Sequence, residues 1–283
     1  MRFALAITVL ALCSLSFAET PSAAKANNQR EKAAALAQKN AAEAAPHSSF
    51  ATSIGSFTFT SGTNETFLKY CVTANGNITQ LETPFGVEHI AVGEVAEGYG
   101  ICDDTALVEY DDYADDGAMS NWGPAVVVSR DATSVKIART TSDSNWTLTQ
   151  NTHQLAGTSS VNVAMTLTNN TAHDKLVFLM RYADVDAGSV FLNNFDGTED
   201  SAFGWNSAGV NSFGLAIRNV GNTLPAVYAG FAQNVPGGPS PCNALANASR
   251  IPLIATDGSI VMFYDMFVHK GASKTVTVNY KGL

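Results

Sequence analysis

Apolar and polar residues alternate with a period of two through most of the chain after Phe50, and this pattern is typical of β-strands. Turn-forming pairs such as Ser61-Gly62 and Asp257-Gly258 separate the runs. The predicted strands are Ser56–Thr60, Thr66–Thr73, Asn77–Glu82, Ala106–Tyr110, Ala125–Ser129, Ser134–Arg139, Trp146–Thr149, Val161–Thr168, Lys175–Tyr182, Phe213–Arg218, Ala226–Phe231, Ser259–Phe267 and Ser273–Tyr280. Many short strands with such turns predict an all-β sandwich or barrel.

Two hairpins are predicted from the turns. Asn75-Gly76 favours a tight turn, because type I′ hairpins need positive φ at both central positions. Asn169-Asn170 follows the run Val161–Thr168 and precedes Lys175–Tyr182, which predicts a second hairpin-like unit. Lys175–Tyr182 is apolar nearly throughout, so we expect it to lie centrally in a sheet.

Residues 50–283 show no composition break and no repeat, which favours one large two-sheet antiparallel β-sandwich domain. Two abutting smaller sandwiches are the alternative. Residues 19–49 are rich in alanine and have only one large apolar side chain, Leu36. A helix needs an apolar stripe to dock, so this segment is predicted to be a helical or disordered stalk. The alternative is a helix that packs through its alanines.

The first 18 residues have the features of a secretory signal peptide. Arg2 precedes a short apolar run, and small residues precede a predicted cleavage between Ala18 and Glu19. Lipidation of Cys13 is disfavoured because the bulky Leu12 precedes it. No later apolar run reaches the roughly 20 residues of a membrane span. The predicted location is outside the cytoplasm, with the protein secreted, periplasmic or at the cell surface.

The chain has 16 Lys and Arg against 25 Asp and Glu, a net charge of −9. Removal of Arg2 with the signal peptide gives 15 − 25 = −10. Such an acidic chain disfavours binding to nucleic acid or to anionic membranes. An exported protein can form disulfides, and we expect a Cys102–Cys242 bond because both residues lie near predicted loops. Cys71 lies within a strand and is expected to be buried and free.

Several segments resemble a set of uncharacterised exported bacterial β-sandwich proteins. The segments are Ala74–Ile78, Thr83–Gly86, Glu97–Cys102, Arg181–Asp186 and the closing strand Lys274–Tyr280. The resemblance covers about residues 65–283 and implies a fold but no activity. The chain is also similar to the large sandwiches of the galactose-mutarotase-like class. The catalytic His and Glu of that class have no matched positions here, so the resemblance implies no activity.

An oxygen-rich segment follows the predicted central strand. Calcium binds six to eight oxygens from carboxylates, amides and carbonyls, and this segment predicts a Ca²⁺ site. The predicted ligands are Asp184, Asp186, Asn194, Asp196 and Asp200. The alternative is that these side chains cap turns or face solvent. An ion pair between Arg181 and Asp184 is a further alternative.

A second acidic segment, Glu109–Trp122, also contains aromatic residues, a combination found in carbohydrate sites. The predicted ligand-binding residues are Tyr110, Asp112, Tyr113, Asp116 and Trp122. The alternative is a mobile acidic loop held at its ends by aromatic side chains. The sequence contains no zinc-binding HExxH motif, no GxSxG nucleophile motif and no phosphate-binding glycine loop. No catalytic residue is therefore predicted.

The sequence favours an exported, non-catalytic binding or structural module that binds carbohydrate or calcium. Its expected partner is a glycan or a cell-surface component. The alternative is a carbohydrate-active enzyme that uses carboxylates from the two acidic segments, because glycoside hydrolysis needs paired carboxylates.

Overall fold

The computed structural model describes residues 56–90, 97–114, 121–206, 212–221, 226–233, 240–243 and 248–283. Within these ranges the chain forms strands and one short 3-10 turn, and no α-helix. The strands are β1 (Phe57–Ser61), β2 (Leu68–Val72), β3 (Ile78–Glu82), β4 (Glu97–Asp103), β5 (Val108–Tyr113), β6 (Val126–Arg130), β7 (Ser134–Thr140), β8 (Trp146–Gln154), β9 (Ser160–Asn169), β10 (Lys175–Asp184), β11 (Asn193–Gly197), β12 (Ser201–Asn206), β13 (Gly214–Asn219), β14 (Ala226–Gln233), β15 (Leu253–Thr256), β16 (Gly258–Val268) and β17 (Ser273–Gly282).

The strands form three antiparallel sheets. The nine-stranded sheet has the order β15-β11-β12-β13-β17-β9-β8-β7-β6, and the five-stranded sheet has the order β14-β16-β10-β4-β5. A three-stranded sheet, β1-β2-β3, completes the domain. The inner faces of all three sheets contribute to one main hydrophobic core. The all-β antiparallel sandwich predicted from the sequence is thus confirmed, with a third, small sheet beside the two large ones.

Alternation along the strands places one face of the nine-stranded sheet in this core. Val161, Val163, Met165 and Leu167 of β9 are fully buried, and the residues between them lie on the opposite face. Burying one such aliphatic side chain contributes about 1.5–3 kcal/mol to stability. The sheet thus has one apolar inner face and one outer face rich in hydroxyl and amide groups.

The strand β10 is central in the five-stranded sheet, as its apolar sequence predicts. Leu179 and Ala183 point into the main core. Met180 and Tyr182 point to the other face, where they form a second apolar cluster with residues such as Phe263. The strand is apolar on both sides because both of its faces are covered.

The segment around Cys242 covers part of this outer face. Cys242 forms the predicted disulfide with Cys102, and its backbone N–H donates to Glu109 Oε1 at 2.7 Å. Pro241 packs so closely on Gly100 that a Cβ there would lie 2.6 Å from the proline ring. Cys71 is buried and free, also as predicted.

One of the two predicted hairpins is present. β2 and β3 pair across the turn that contains Gly76, which has φ of +97°. The second hairpin prediction is wrong, because β9 pairs with β8 and β17 whereas β10 pairs with β4 and β16. The chain between β9 and β10 crosses from one sheet to the other.

The predicted signal peptide at residues 1–18 and the stalk at residues 19–49 lie outside the described residues. In the part of the chain that the structure describes, no helix has the length and hydrophobicity to cross a bilayer.

Candidate functional site

One group of charged side chains in the described part of the sandwich is built around Arg181 and Glu97. Both side chains are fully buried and form an ion pair through Arg181 Nε and Glu97 Oε1. Burial raises the pKa of Glu97, and the adjacent Arg181 opposes that shift. The expectation of an Arg181–Asp184 pair is wrong. Residues three apart on a strand face opposite sides, and Arg181 points inward.

The ion pair lies on the five-stranded sheet, and its partners come from the other two sheets. Arg181 Nη2 donates to Gly76 O in the β2–β3 turn at 3.1 Å, and the Ile78 N–H donates to Glu97 Oε2 at 2.6 Å. Arg181 Nε also donates to the hydroxyl of Tyr280 in the nine-stranded sheet at 3.0 Å. A set of buried groups with so many internal partners holds the sheets together.

The predicted aromatic ligand site is mostly buried. Trp122 is 5% exposed and lies edge-on to Tyr110 and Tyr99, and Arg139 lies 5.5 Å above its ring. The Tyr110 hydroxyl donates to Asp143 at 2.6 Å. These two rings therefore pack inside the domain and expose no flat face for a sugar.

The remaining residues of that prediction are not brought together around a ligand. Asp112 forms an ion pair with Arg139. Tyr113 faces the other side of the five-stranded sheet and packs against Tyr182 with ring centroids 5.6 Å apart. Asp116 lies outside the described residues.

A compact carboxylate cluster lies at the end of β10. Asp184, Asp186 and Asp257 each offer a carboxylate oxygen, and these oxygens all lie within 4.8 Å of one another. β10 delivers the first two, and the turn before β16 delivers the third because Asp184 pairs with Ser259 in the sheet. The Val185 N–H donates to Gly258 O at 3.2 Å, which fixes the two segments side by side.

The carboxylate cluster is partly shielded from water. Asp184 is 1% exposed, and the other two carboxylates are half-buried. Two like charges at this separation repel by about 3 kcal/mol at an effective dielectric constant of about 20. Burial raises the pKa of the neighbouring Tyr182 hydroxyl, and the charge of Asp184 raises it further. This arrangement favours uptake of a positive charge, either as a shared proton or as a cation.

Two of the five predicted metal ligands belong to the carboxylate cluster. Asn194 instead accepts the Ala255 N–H at 3.0 Å, Asp196 accepts the Gly197 N–H, and Asp200 accepts the Thr198 hydroxyl. Asp257 was not among the predicted ligands. In the sequence it marks only an Asp-Gly turn, and its position beside Asp184 depends on strand pairing.

Comparison with known proteins returned no matching family model and no matching curated protein. Solved structures with a similar fold include a putative aldose 1-epimerase from Escherichia coli K12, with 11% identity and a TM-score of 0.47 over 80% of this chain and 99% of that one. A galactose mutarotase-like protein from Lactobacillus casei shows 8% identity and a TM-score of 0.46 over 80% of this chain and 100% of that one.

A third similar structure is a bacterial glucoamylase, with 10% identity and a TM-score of 0.47. The match covers 81% of this chain but only 32% of the glucoamylase. These similar folds belong to carbohydrate-active enzymes and their relatives, and they contradict the sequence prediction of a non-catalytic binding or structural module. At such low identities and TM-scores the likeness concerns the fold alone and assigns no residue and no substrate.

Proposed function

We propose that the protein is a carbohydrate-active enzyme whose proton transfers are carried out by the carboxylate cluster of Asp184, Asp186 and Asp257. The observation that carries this proposal is the approach of three carboxylate oxygens to within 4.8 Å of one another in a half-buried position. Closely spaced carboxylates bind one proton more tightly and the next more weakly. One carboxyl can then donate a proton while its neighbour accepts one.

The chemistry of the cluster favours sugars as the substrate class. Glycoside reactions need only a carboxylic acid and a carboxylate, without a metal or a cofactor. A chain with a net charge of −9 and three adjacent carboxylates repels phosphorylated or otherwise anionic substrates. Neutral sugars meet both conditions, because they react at hydroxyl and ring oxygens and carry no charge.

The distance between the carboxylate oxygens of the cluster restricts the type of reaction. Inverting glycosidases hold their carboxyl groups roughly 6.5–9.5 Å apart to leave room for water, whereas retaining enzymes hold them about 5–5.5 Å apart. The cluster, with one oxygen of each carboxylate within 4.8 Å of the others, is nearer to the retaining separation than to the inverting one.

The test is a panel of neutral oligosaccharides and polysaccharides, with release of reducing ends and exchange of anomeric protons both followed by NMR. We expect turnover of at least one sugar, and we expect Asp184→Asn and Asp257→Asn to lower kcat by about 10²–10⁴-fold. Glu199→Gln, at an exposed carboxylate outside the cluster, is the matched control and keeps full activity. Failure of the wild-type protein on the whole panel, or full activity of Asp257→Asn, would overturn the proposal.

A second candidate role for the carboxylate cluster is binding of Ca²⁺. Oxygens bound to one Ca²⁺ at 2.3–2.6 Å lie at most about 5 Å apart, which the cluster satisfies. We expect Ca²⁺ to raise the melting temperature of EDTA-treated protein, and Asp257→Asn to abolish the rise. Asp200→Asn, at a ligand predicted only from the sequence, leaves it unchanged. A melting temperature that does not respond to Ca²⁺ excludes this role.

We also propose that the protein is exported. The Cys102–Cys242 bond supports this, because disulfides persist in oxidising compartments. The expected mature protein begins at Glu19, and N-terminal sequencing of protein recovered from the extracytoplasmic fraction tests both points.

A further inference from the structure

The outer face of the nine-stranded sheet carries rows of small hydroxyl side chains. In one row Thr140, Thr147, Thr168 and Ser273 lie on neighbouring strands in register. Their hydroxyls pair at 2.9 Å between Thr140 and Thr147 and at 2.7 Å between Thr168 and Ser273. Each hydroxyl has one donor and two acceptor sites, so one such contact leaves capacity for a ligand. Thr147 has less capacity than the others, because it also accepts a hydrogen bond from Asn170 Nδ2 at 2.9 Å.

A second row runs parallel to the first. Thr149, Thr166 and Thr275 occupy neighbouring strands, and the hydroxyls of Thr166 and Thr275 lie 2.8 Å apart in an exposed position. Neither row contains a charged side chain. Together they form a regular, uncharged surface, because adjacent strands lie about 4.8 Å apart and successive outward residues about 7 Å apart.

The same face carries two aromatic rings farther along the sheet. Phe203 and Trp205 are half-buried on β12, with ring centroids 5.8 Å apart and planes tilted by 34°. Asn194 and Asp196 on β11 stand directly opposite them in the sheet register. An aromatic ring flanked by amide and carboxylate groups can stack on the apolar face of a sugar and bind its hydroxyls.

A polar chain joins the aromatic pair to the hydroxyl rows. Arg218 Nε donates to Asn279 Oδ1 at 3.1 Å, and Asn279 Nδ2 donates to Asn162 Oδ1 at 2.7 Å. These residues lie in register on β13, β17 and β9. Along β17, Asn279 stands between Lys281, which is level with Phe203, and Thr275 of the second row. The aromatic pair and the hydroxyl rows are therefore offset along the strands, and the outer face presents aromatic, amide and hydroxyl groups in sequence along a diagonal.

We propose that this face binds a neutral polysaccharide that crosses the strands diagonally, with a sugar stacked on Phe203 and Trp205 and further units towards the hydroxyl rows. A protein partner would need a desolvated apolar centre, which the hydroxyl rows do not offer. The net charge of −9 opposes a polyanion, although Arg218 and Lys281 also lie on this face, and a comparison with an anionic polymer tests this choice. Asp184 lies on the five-stranded sheet, whereas Asp257 follows β15 at the edge of the nine-stranded sheet, so the Asp184→Asn variant separates this proposal from the proposed reaction.

The experiment is sedimentation of the purified protein with microcrystalline cellulose, chitin and insoluble starch, with alginate beads as the anionic comparison. We expect binding to at least one of the three neutral polymers and not to alginate. The double variant Phe203→Ala/Trp205→Ala and the single variant Thr166→Lys should each weaken binding at least about tenfold. The lysine tests the hydroxyl rows without removing an aromatic side chain.

The matched control is Phe267→Ala, which removes an aromatic side chain that is 52% exposed on the five-stranded sheet. It should bind as the wild type does, and the melting temperature of each variant shows that it is folded. Binding to alginate alone, no binding to any neutral polymer, or unchanged binding by both test variants would overturn the proposal. Asp184→Asn should keep polymer binding whether or not it abolishes turnover, which separates this proposal from the proposed reaction.

Discussion

At the residue scale, Glu97 and Arg181 show how strongly one buried pair depends on the whole fold. They lie 84 positions apart in sequence and meet through the pairing of β4 with β10. A buried pair does not in itself stabilise a protein relative to apolar packing, but loss of one partner leaves an uncompensated buried charge. The pair is therefore sensitive to single substitutions.

We expect Arg181→Met to destabilise the protein by about 3–5 kcal/mol, because Glu97 then keeps its burial but loses its cation. Replacement of both residues, as Glu97→Gln/Arg181→Met, should cost less than the sum of the two single substitutions. Urea unfolding of the four proteins measures the coupling. Additive costs would show that the two side chains act independently.

Asp143 provides a pH-dependent test at the same scale. Burial raises its pKa, but the hydrogen bonds from Thr141, Tyr110 and Asn145 together outweigh this effect and hold the pKa below 3.8. A lowered pKa contributes stability above the unfolded value, and this stability is lost as the pH falls through the folded value. Asp143→Asn should therefore unfold at lower urea than wild type at pH 7, and the gap should close below about pH 3.8.

The control for this experiment is Glu65→Gln, at an exposed carboxylate in the 3-10 turn. The difference in urea unfolding between this variant and the wild type should be the same at neutral pH and at acid pH. A gap for Asp143→Asn that stays constant between pH 7 and pH 3 would contradict the linkage.

At the element scale, the β2–β3 turn was predictable and the β9–β10 connection was not. The β2–β3 turn can be predicted from Gly76 itself, because a position with positive φ favours glycine. The segment between β9 and β10 contains the Asn169-Asn170 pair, which is equally typical of a turn. The neighbouring residues do not indicate that the next strand joins another sheet. The Asn169 side chain donates hydrogen bonds to the backbone oxygens of His173 and Val268. These bonds hold the connection that passes from the nine-stranded sheet to the five-stranded sheet.

Gly76→Ala should destabilise the protein by about 1–3 kcal/mol from the strained backbone alone. A further cost is expected because the new Cβ would lie 2.5 Å from Gln150 Nε2. Gln150 cannot move freely, since it accepts a hydrogen bond from Arg181. Gly86→Ala is the matched control: its φ is +83° and no atom lies within 4 Å of the added Cβ. Thermal unfolding of both variants separates the backbone strain from the steric clash with Gln150. Equal losses of stability in the two variants would exclude a contribution from the clash.

At the scale of the whole molecule, alternation in the sequence predicted the sandwich. The continuous apolar run of β10 predicted its central position, and the places of Cys102 and Cys242 near loops of an exported chain predicted the disulfide. The site was predictable only in part. Asp184 and Asp186 could be found because they follow a buried strand, whereas Asp257 joins them only through the pairing of β10 with β16. The rings of Tyr110 and Trp122 were misjudged for a similar reason, since sequence alone does not show which aromatic side chains another sheet covers.

The Cys102–Cys242 bond links positions 140 residues apart. A disulfide stabilises mainly by restricting the unfolded chain, and removal of one typically costs about 2–5 kcal/mol, with long loops near the upper end. We expect the double variant Cys102→Ser/Cys242→Ser to have a free energy of unfolding that is lower by that amount. Wild-type protein treated with dithiothreitol should be as stable as this variant. Cys71→Ala, which retains the bond, is the control. Dithiothreitol should still destabilise that variant, and an oxidised double variant as stable as wild type would show that the bond adds nothing.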